Sequence, residues 1–191
     1  MKLEGQSSSW IDSIGKQNNR MKHLIENLLR MNRYEETLVI EHKTMDLSAL
    51  ISEVLHEYQP AFLASDISLV VRMEEGIILD ADRRMLEDYL HILLDNALKY
   101  SDEHKNLVIE VLPLSDVIEV KVRNSAEPLT HNELKQLFDR FYRVDRSRVR
   151  EGLTGNGMGL AIAKRIIEVH KGQIDADYFN GMLQITARFP R

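Results

Sequence analysis

The chain has 191 residues, no cysteine and a formal net charge of −5, from 25 basic and 30 acidic side chains. Disulfides and thiolate metal sites are thereby excluded, and the acidic balance disfavours general nucleic-acid binding, so we expect no nucleic-acid partner. Hydrophobic residues make up 43% of the sequence, enough for a core, and the length suits one domain plus one further element. The sequence contains no signal-peptide pattern and no run apolar enough to span a membrane.

The N-terminal segment predicts one long helix from Trp10 to about Tyr34. One helix alone cannot bury an apolar seam, so we expect it to pair with a copy of itself or with a further helix. The seam has near-heptad spacing, interrupted by Asn18, and consists of Ile11, Ile14, Met21, Leu24, Ile25, Leu28 and Met31.

A second helix is predicted after a short joint at residues 36–43. Asp46 has the side chain of an N-cap, and the helix that it starts is predicted to reach about Gln59. Pro60 predicts the break, because proline lacks the N–H that a helix interior needs.

Alternating apolar residues predict the strands of this chain. Asn180-Gly181 is a strong two-residue turn signal between the last two of them. Strands segregated from helices in this way indicate an α+β fold, a two-layer α/β sandwich with one mixed sheet and helices on one face. The predicted strands are 67–73, 76–79, 107–112, 117–122, 173–179 and 182–189.

Asp82 predicts the N-cap of the next helix, whose apolar residues follow three-to-four spacing up to Tyr100. Asn96, Lys99 and Tyr100 share a neighbouring stripe, because residues three and four apart are neighbours on a helix. An amide oxygen suits magnesium, an ammonium suits phosphate, and a tyrosine ring can cover a purine. A solvated helix edge with an interfacial tyrosine would give the same stripe.

Gly155, Gly157 and Gly159 permit backbone angles that are closed to other residues, and they precede a helix predicted over Leu160–His170. Such a turn aims free N–H groups and a positive dipole end at an anion. The pattern is not a dinucleotide fingerprint, because Leu160 stands where the third glycine would be, and no Lys-Ser/Thr follows to make a P-loop. A glycine-containing linker is the alternative.

Three motifs occur in the order and spacing of the ATP-binding catalytic domain of sensor histidine kinases, which this chain resembles from about Met45 to Arg191. The segment Met21–Glu35 resembles the second helix of the same family's dimerisation hairpin. The motifs are Asn96-Ala-Leu-Lys-Tyr-Ser, Leu137-Phe-Asp-Arg-Phe-Tyr-Arg143 and Gly155-x-Gly-x-Gly-Leu-Ala-Ile162.

The resemblance implies the histidine-kinase-type ATPase fold for residues 41–191 and an incomplete dimerisation and phosphotransfer hairpin for residues 1–40. It implies a protein histidine kinase that binds ATP with Mg²⁺ and donates the terminal phosphate to a histidine, for relay to a response regulator. None of the seven histidines has the acidic residue and Arg-Thr/Ser-Pro sequence that mark the acceptor. We therefore expect the phosphoacceptor helix to be missing from this chain and the chain not to autophosphorylate alone. This part would be cytoplasmic, in a homodimeric parent held in the bacterial inner or cell membrane by other segments.

The resemblance also implies roles for individual residues. Asn96 would bind magnesium, Lys99 would contact phosphate, and Tyr100 would stack near the adenine. Arg143 would approach the terminal phosphate, so that Asn96, Lys99 and Arg143 form the implied catalytic set. Further nucleotide contacts are implied at Asn124, Thr154, Gly155, Gly157, Met158, Gly159 and Leu160.

A mobile lid is implied between Arg143 and Thr154, with Phe138 and Phe141 at its base. Arginines and glycines suit a loop that closes on an anion. We expect its other arginines to be solvated, namely Arg146, Arg148 and Arg150.

Four residues depart from the family pattern. Asn124 replaces the aspartate that recognises the adenine amino group, and its carbonyl can accept the same hydrogen bond without the charge that strengthens it. Ala126 and Pro128 replace glycines and stiffen that turn. Ile92 stands where the family commonly has a second asparagine and related ATP hydrolases have a glutamate, so it can neither bind magnesium nor activate water.

Two alternatives to a kinase domain remain open. Asn124, Ala126 and Ile92 favour a degenerate nucleotide-binding or docking module that regulates a partner without phosphotransfer. A weak ATP hydrolase is the other alternative, and Ile92 disfavours it because no general base stands at that position.

Overall fold

The computed structural model describes residues 40–144 and 157–191, together with scattered positions among residues 10–32. The scattered positions are all helical, as predicted for the N-terminal segment. Most of the predicted lid, residues 145–154 with Thr154 among them, lies outside the described residues, as does Gly155 after it. Large apolar side chains at the scattered positions are exposed, namely those of Trp10, Ile14, Met21, Ile25 and Leu29.

Strands and helices form separate layers. The strands are β1 (Lys43–Asp46), β2 (Ser68–Arg72), β3 (Ile78–Ala81), β4 (Asn106–Pro113), β5 (Val117–Ser125), β6 (Gln173–Phe179) and β7 (Met182–Pro190). The helices are α1 (Leu47–Ala64), α2 (Arg83–Tyr100), α3 (His131–Gln136) and α4 (Gly159–Val169). This arrangement confirms the predicted α+β sandwich.

The main sheet has five strands in the order β2-β4-β5-β7-β6. It is mixed, as predicted, because β2 runs parallel to β4 while the other neighbours are antiparallel. Alternation along β5 directs Val120 and Val122 into the core. Lys121 and Arg123 lie on the opposite face, where they form ion pairs with acidic side chains of the sheet. One face of the sheet is therefore left for the helices.

The two predicted hairpins are confirmed. Strand β4 pairs with β5 in the register Leu107↔Asn124, and β6 pairs with β7 up to Phe179↔Met182. Asn180 and Gly181 join the last pair with φ angles of 51° and 76°. Both angles are in the left-handed region that a type I′ turn requires.

A second, two-stranded sheet was not predicted. Strand β1 occupies part of the expected joint and pairs antiparallel with β3, in the register Lys43↔Ala81. Strand β3 therefore does not belong to the main sheet, contrary to the single sheet expected. A four-residue strand contains only two residues on each face, which is too short a pattern to identify its partner.

Helix α1 begins at the predicted N-cap but ends later than predicted. The Asp46 carboxylate accepts a hydrogen bond from the Ala49 N–H at 3.0 Å, as an N-cap should. The helix nevertheless continues past Pro60 to Ala64, so the predicted end near Gln59 is wrong. Phe62 is 3% exposed, and its burial offsets the loss of the backbone hydrogen bond that Pro60 cannot make.

Helices α2 and α4 cover the main sheet side by side. Asp82 caps α2 by accepting hydrogen bonds from the N–H groups of Arg84 and Met85 at 3.0 and 3.3 Å. Buried residues recur at three-to-four spacing along both helices, and Ile166 and Ile167 of α4 are completely buried. Within the described part of the chain, no helix combines the length and apolar character needed to cross a bilayer.

Candidate functional site

The Asn96 stripe lies along the half-buried C-terminal edge of α2. Asn96, Lys99 and Tyr100 are all partly exposed, whereas Ala97 between them is fully buried. The Lys99 Nζ lies 3.7 Å from the Asp95 Oδ2, one helical turn away. An amide, an ammonium and a phenol ring are therefore presented together, as the spacing predicted.

Helix α2 meets the beginning of α4 at Ile92. A Cβ added to Gly159 would lie 3.4 Å from the Ile92 Cγ2, which is ordinary van der Waals contact. Ile92 is 8% exposed and belongs to the core. The structure thus brings the Asn96 helix and the glycine turn together, with a methyl group where a second asparagine was expected.

The N-terminus of α4 has no side-chain cap from the described residues. Its N-cap is Met158, which is buried and has no oxygen, and no side-chain cap bonds the first turn within the described residues. The first backbone N–H groups of a helix need partners from outside it. Together with the dipole they form the kind of site that binds phosphate. Leu160, on the first turn, packs partly against the core.

Gly157 cannot be replaced by another residue without movement of the backbone. Its φ is +68°, and a Cβ would lie 2.6 Å from the Tyr142 carbonyl oxygen and 2.7 Å from the Phe141 carbonyl carbon. The Phe141 N–H donates a hydrogen bond to the Gly157 carbonyl at 2.9 Å. The phenylalanine-containing motif and the glycine turn are therefore in direct contact.

The two predicted lid anchors differ. Phe138 packs partly against the core, whereas Phe141 is 55% exposed with φ 62°. The Phe141 ring is therefore not part of the core, and the residue makes its backbone hydrogen bond to Gly157. That both rings anchor the lid stays a prediction, because residues 145–154 lie outside the described residues. Arg143 is half-buried immediately before residues 145–156. An open groove of about 470 Å³ lies between residues 138–140 and the outer side of α4. Its lining residues do not include Asn96, Lys99 or Tyr100, so this groove is not the predicted site.

Asn124 is buried at the end of β5. Its Nδ2 donates to the Ser125 carbonyl at 3.0 Å, and its side-chain carbonyl oxygen is a hydrogen-bond acceptor. The following turn is closely held, because the Ala126 N–H donates to the Gly181 carbonyl at 3.0 Å and the Tyr178 hydroxyl donates to the Ala126 carbonyl at 3.1 Å. These bonds agree with the stiff turn expected there.

Two side chains that support the site were missed by the sequence analysis. Tyr58 of α1 donates a hydrogen bond from its hydroxyl to the Asp95 Oδ1 at 2.8 Å. The i,i+4 spacing of Asp95 and Lys99 is visible in the sequence, but nothing in the sequence places Tyr58 beside them.

The other missed residue is His170, at the end of α4. Its Nε2 accepts a hydrogen bond from the Asp82 N–H at 3.0 Å, and its Nδ1 donates to the Ile166 carbonyl at 2.7 Å. Burial lowers the pKa of His170, which favours the neutral ring that this pair of bonds requires. His170 therefore links α4 to the start of α2.

Comparisons with known proteins agree with this geometry. Residues 81–191 match the family model described as histidine kinase-, DNA gyrase B- and HSP90-like ATPase. The sensor histidine kinase CusS of Escherichia coli strain K12 is 33% identical over 157 residues, which are 81% of this chain and 32% of CusS. The chain therefore spans about a third of that relative's length.

Two solved structures share the fold. The full-length kinase ShkA in complex with AMPPNP has a TM-score of 0.78 at 17% identity, covering 100% of this chain and 40% of ShkA. The histidine kinase ThkA in complex with the response regulator protein TrrA has a TM-score of 0.79 at 21% identity, covering 100% of this chain and 53% of ThkA. The chain belongs to the histidine kinase-, DNA gyrase B- and HSP90-like ATPase family, and the predicted resemblance to the ATP-binding domain of sensor histidine kinases is confirmed.

Proposed function

We propose that this chain binds ATP with Mg²⁺ where α2 meets the start of α4, and holds the terminal phosphate for transfer to a histidine. The main support for this proposal is the close approach of α2 to the start of α4, where a Cβ added to Gly159 would lie 3.4 Å from the Ile92 Cγ2. This approach places a helix edge that presents Asn96 and Lys99 beside a helix N-terminus with no side-chain cap from the described residues. Positioning and neutralisation of phosphate charge are the main contributions that a protein makes to phosphoryl transfer.

Each side chain of the proposed site has a chemical task. Lys99 and the N–H groups after Met158 would hold phosphate oxygens, and Tyr100 would cover the adenine. Asn124 would accept a hydrogen bond from the adenine amino group through its carbonyl oxygen. Arg143 would approach the terminal phosphate. Thr154, Gly155 and Leu160 are proposed nucleotide contacts on the same grounds of resemblance.

The side chains of the proposed site fit a magnesium ion that is held mainly by oxygens of the nucleotide. The described residues contain no group of three or more histidine, cysteine or acidic side chains that could hold a metal ion. Asn96 supplies an amide oxygen beside the proposed phosphate site, and Mg²⁺ commonly keeps few protein ligands and several phosphate or water oxygens. When bound, the ion would neutralise charge on the phosphates. Ile92 supplies no oxygen, so Asn96 is the proposed protein ligand.

The replacements in the site favour transfer over hydrolysis. Ile92 is apolar and cannot act as a base for water at the phosphate end. Asn124 makes a neutral hydrogen bond to adenine, which is weaker than the bond of an aspartate. We therefore expect moderate nucleotide affinity with little phosphate release.

The partners follow from the family. The acceptor histidine would lie on the first helix of the dimerisation hairpin, whose second helix is proposed within residues 1–40, with the catalytic domain at 41–191. The exposed apolar positions Trp10, Ile14 and Met21 suit a homodimeric parent that buries them. ThkA was solved with a response regulator, and a response regulator is the proposed acceptor for the relay. The parent would be anchored in the bacterial membrane by other segments.

Lys99→Ala tests the phosphate assignment. Because Lys99 would contact phosphate and not the base, ATP affinity should fall by about tenfold or more while adenosine affinity stays unchanged. Equal losses for ATP and adenosine would contradict the assignment. Lys164→Ala, on the exposed side of α4, is the control for removal of a lysine.

Phosphotransfer should be tested with the parent's dimerisation hairpin supplied as a separate polypeptide. The proposal predicts label from γ-³²P-ATP on that hairpin in the presence of this chain. A docking module is the second candidate, favoured by Asn124, Ala126 and Ile92. It predicts association with the hairpin and no labelling, and labelling would exclude it.

A further inference from the structure

A network of polar side chains connects α1 to the proposed phosphate lysine. The Tyr58 hydroxyl donates to the Asp95 Oδ1 at 2.8 Å, and the Asp95 Oδ2 lies 3.7 Å from the Lys99 Nζ. One carboxylate is therefore shared between a phenol and an ammonium. Asp95 directly precedes Asn96, so this carboxylate lies within the segment that would face the nucleotide.

Tyr58 is held firmly enough to determine the orientation of Asp95. Its ring packs against Phe62 and His91, with centroid distances of 5.6 and 5.5 Å. The hydroxyl also lies 3.2 Å from the His91 Nδ1. Burial and the neighbouring Asp95 carboxylate raise the pKa of Tyr58, so the hydroxyl keeps its proton and acts as a donor. A hydrogen bond to a charged acceptor is among the stronger polar contacts in proteins.

The Lys99 ammonium is held less firmly than the Tyr58 hydroxyl. The side chains of Lys99 and Asp95 are 38% and 50% exposed, so their attraction is screened by solvent. A phosphate bound at Lys99 would have to compete with Asp95 for the same ammonium. It would also be repelled by the Asp95 charge.

We propose that Asp95 is the resting counter-ion of Lys99, and that Tyr58 is a positioning residue that limits how strongly Asp95 holds the ammonium. The inference rests on the proposed function, because it concerns how Lys99 is made available to nucleotide phosphates. The hydroxyl of Tyr58 takes one oxygen of the carboxylate, which leaves less negative charge directed at Lys99. Asp95 in turn lowers phosphate affinity while leaving the adenosine part of the ligand untouched.

This arrangement predicts opposite effects for two single variants. Asp95→Asn removes the competing charge, so ADP should bind roughly two- to fivefold more tightly, the range that exposed ion pairs span. Tyr58→Phe frees the whole carboxylate for Lys99, so ADP should bind roughly two- to fivefold more weakly. Adenosine affinity should change in neither variant, because adenosine has no phosphate.

The double variant tests whether Tyr58 acts through Asp95. If it does, Tyr58→Phe combined with Asp95→Asn should bind ADP as Asp95→Asn alone does, which is a non-additive result in a double-mutant cycle. Glu87→Gln is a matched control, since it breaks the Arg83–Glu87 i,i+4 ion pair on the same helix. Glu87 precedes Asp95 by about 12 Å along the helix axis at 1.5 Å per residue, so ADP affinity should not change.

The experiment is calorimetric titration of the whole chain and its variants with ADP and with adenosine, at low and at high salt. Opposite shifts for ADP alone, shrinking at high salt, would support the inference. Shifts in the same direction, no shift, or equal shifts for adenosine would overturn it while leaving the proposed function intact. Absence of ADP binding by the unaltered chain would overturn the proposed function, and this inference with it. If Tyr58→Phe does not fold, the Asp95→Asn shift decides the outcome.

Discussion

Replacement of Gly157 by alanine should damage the proposed nucleotide site more than the fold. Placing the backbone of any residue other than glycine in the left-handed region costs roughly 1–2 kcal/mol. The new Cβ would also lie 2.6 Å from the Tyr142 carbonyl oxygen, where ordinary contacts begin at 3.4 Å. To relieve this clash, residue 157 and residues 141–142 would have to move apart by about 0.8 Å, the difference between these two distances. That movement would strain the Phe141–Gly157 hydrogen bond, which contributes about 0.5–1.5 kcal/mol.

These two terms together amount to about 1.5–3.5 kcal/mol, located at the turn that begins α4. If the turn relaxes by moving away from residues 141 and 142, nucleotide binding must restore it, and about 2 kcal/mol corresponds to roughly a thirtyfold loss of affinity. Gly76→Ala is the matched control, because Gly76 has φ +71° and nothing within 4 Å of an added Cβ. It should lose about 1–2 kcal/mol of stability and no nucleotide affinity.

The assay is urea unfolding of both variants combined with calorimetric titration of a non-hydrolysable ATP analogue. We expect Gly157→Ala to lose affinity for the analogue and Gly76→Ala to keep it. Equal affinities for the two variants would show that the contact of Gly157 with residues 141 and 142 is unimportant for binding. A destabilisation no larger than that of Gly76→Ala would show that the clash is relieved without cost.

Two further predictions concern stability. The Tyr89 hydroxyl is buried in the core and has no hydrogen-bond partner among the described residues. Tyr89→Phe should therefore stabilise the fold by about 1 kcal/mol while keeping the edge contact with Phe189; destabilisation in urea unfolding would refute this. Burial lowers the pKa of His170 below its ordinary value of 6.5, so the free energy of unfolding should fall as pH drops below about 6.5, because the unfolded chain takes up a proton that the folded chain does not. His170→Gln should remove that part of the pH dependence. If the free energy of unfolding changed with pH equally in the variant and in the unaltered chain, the assignment to His170 would be contradicted.

Local signals in the sequence were sufficient for most of the fold. The side chains of Asp46 and Asp82 identify helix starts because capping needs only the residue and the next three amides. Asn180-Gly181 identifies a hairpin because few other residues accept two left-handed angles in succession. Tertiary contacts account for the errors. Burial of Phe62 keeps α1 intact past Pro60.

The site was predictable only in the parts that lie close together along the chain. The helix edge with Asn96 and Lys99 follows from spacing, and the glycine turn follows from composition. The hydrogen bond from Tyr58 to Asp95 joins residues 37 positions apart, and no pattern in the sequence registers such a pair. The exposure of Phe141 was also missed, because the family motif indicates a residue type and not the direction of its ring.

Calorimetric titration with a non-hydrolysable ATP analogue, first with magnesium and then with a chelator, tests whether the edge of α2 and the start of α4 bind ATP together with Mg²⁺. We expect binding with magnesium that weakens sharply in the chelator, and loss of this difference in Asn96→Ala. Absence of binding in both conditions, from a sample shown to be folded, would contradict ATP binding at this site and favour the docking module.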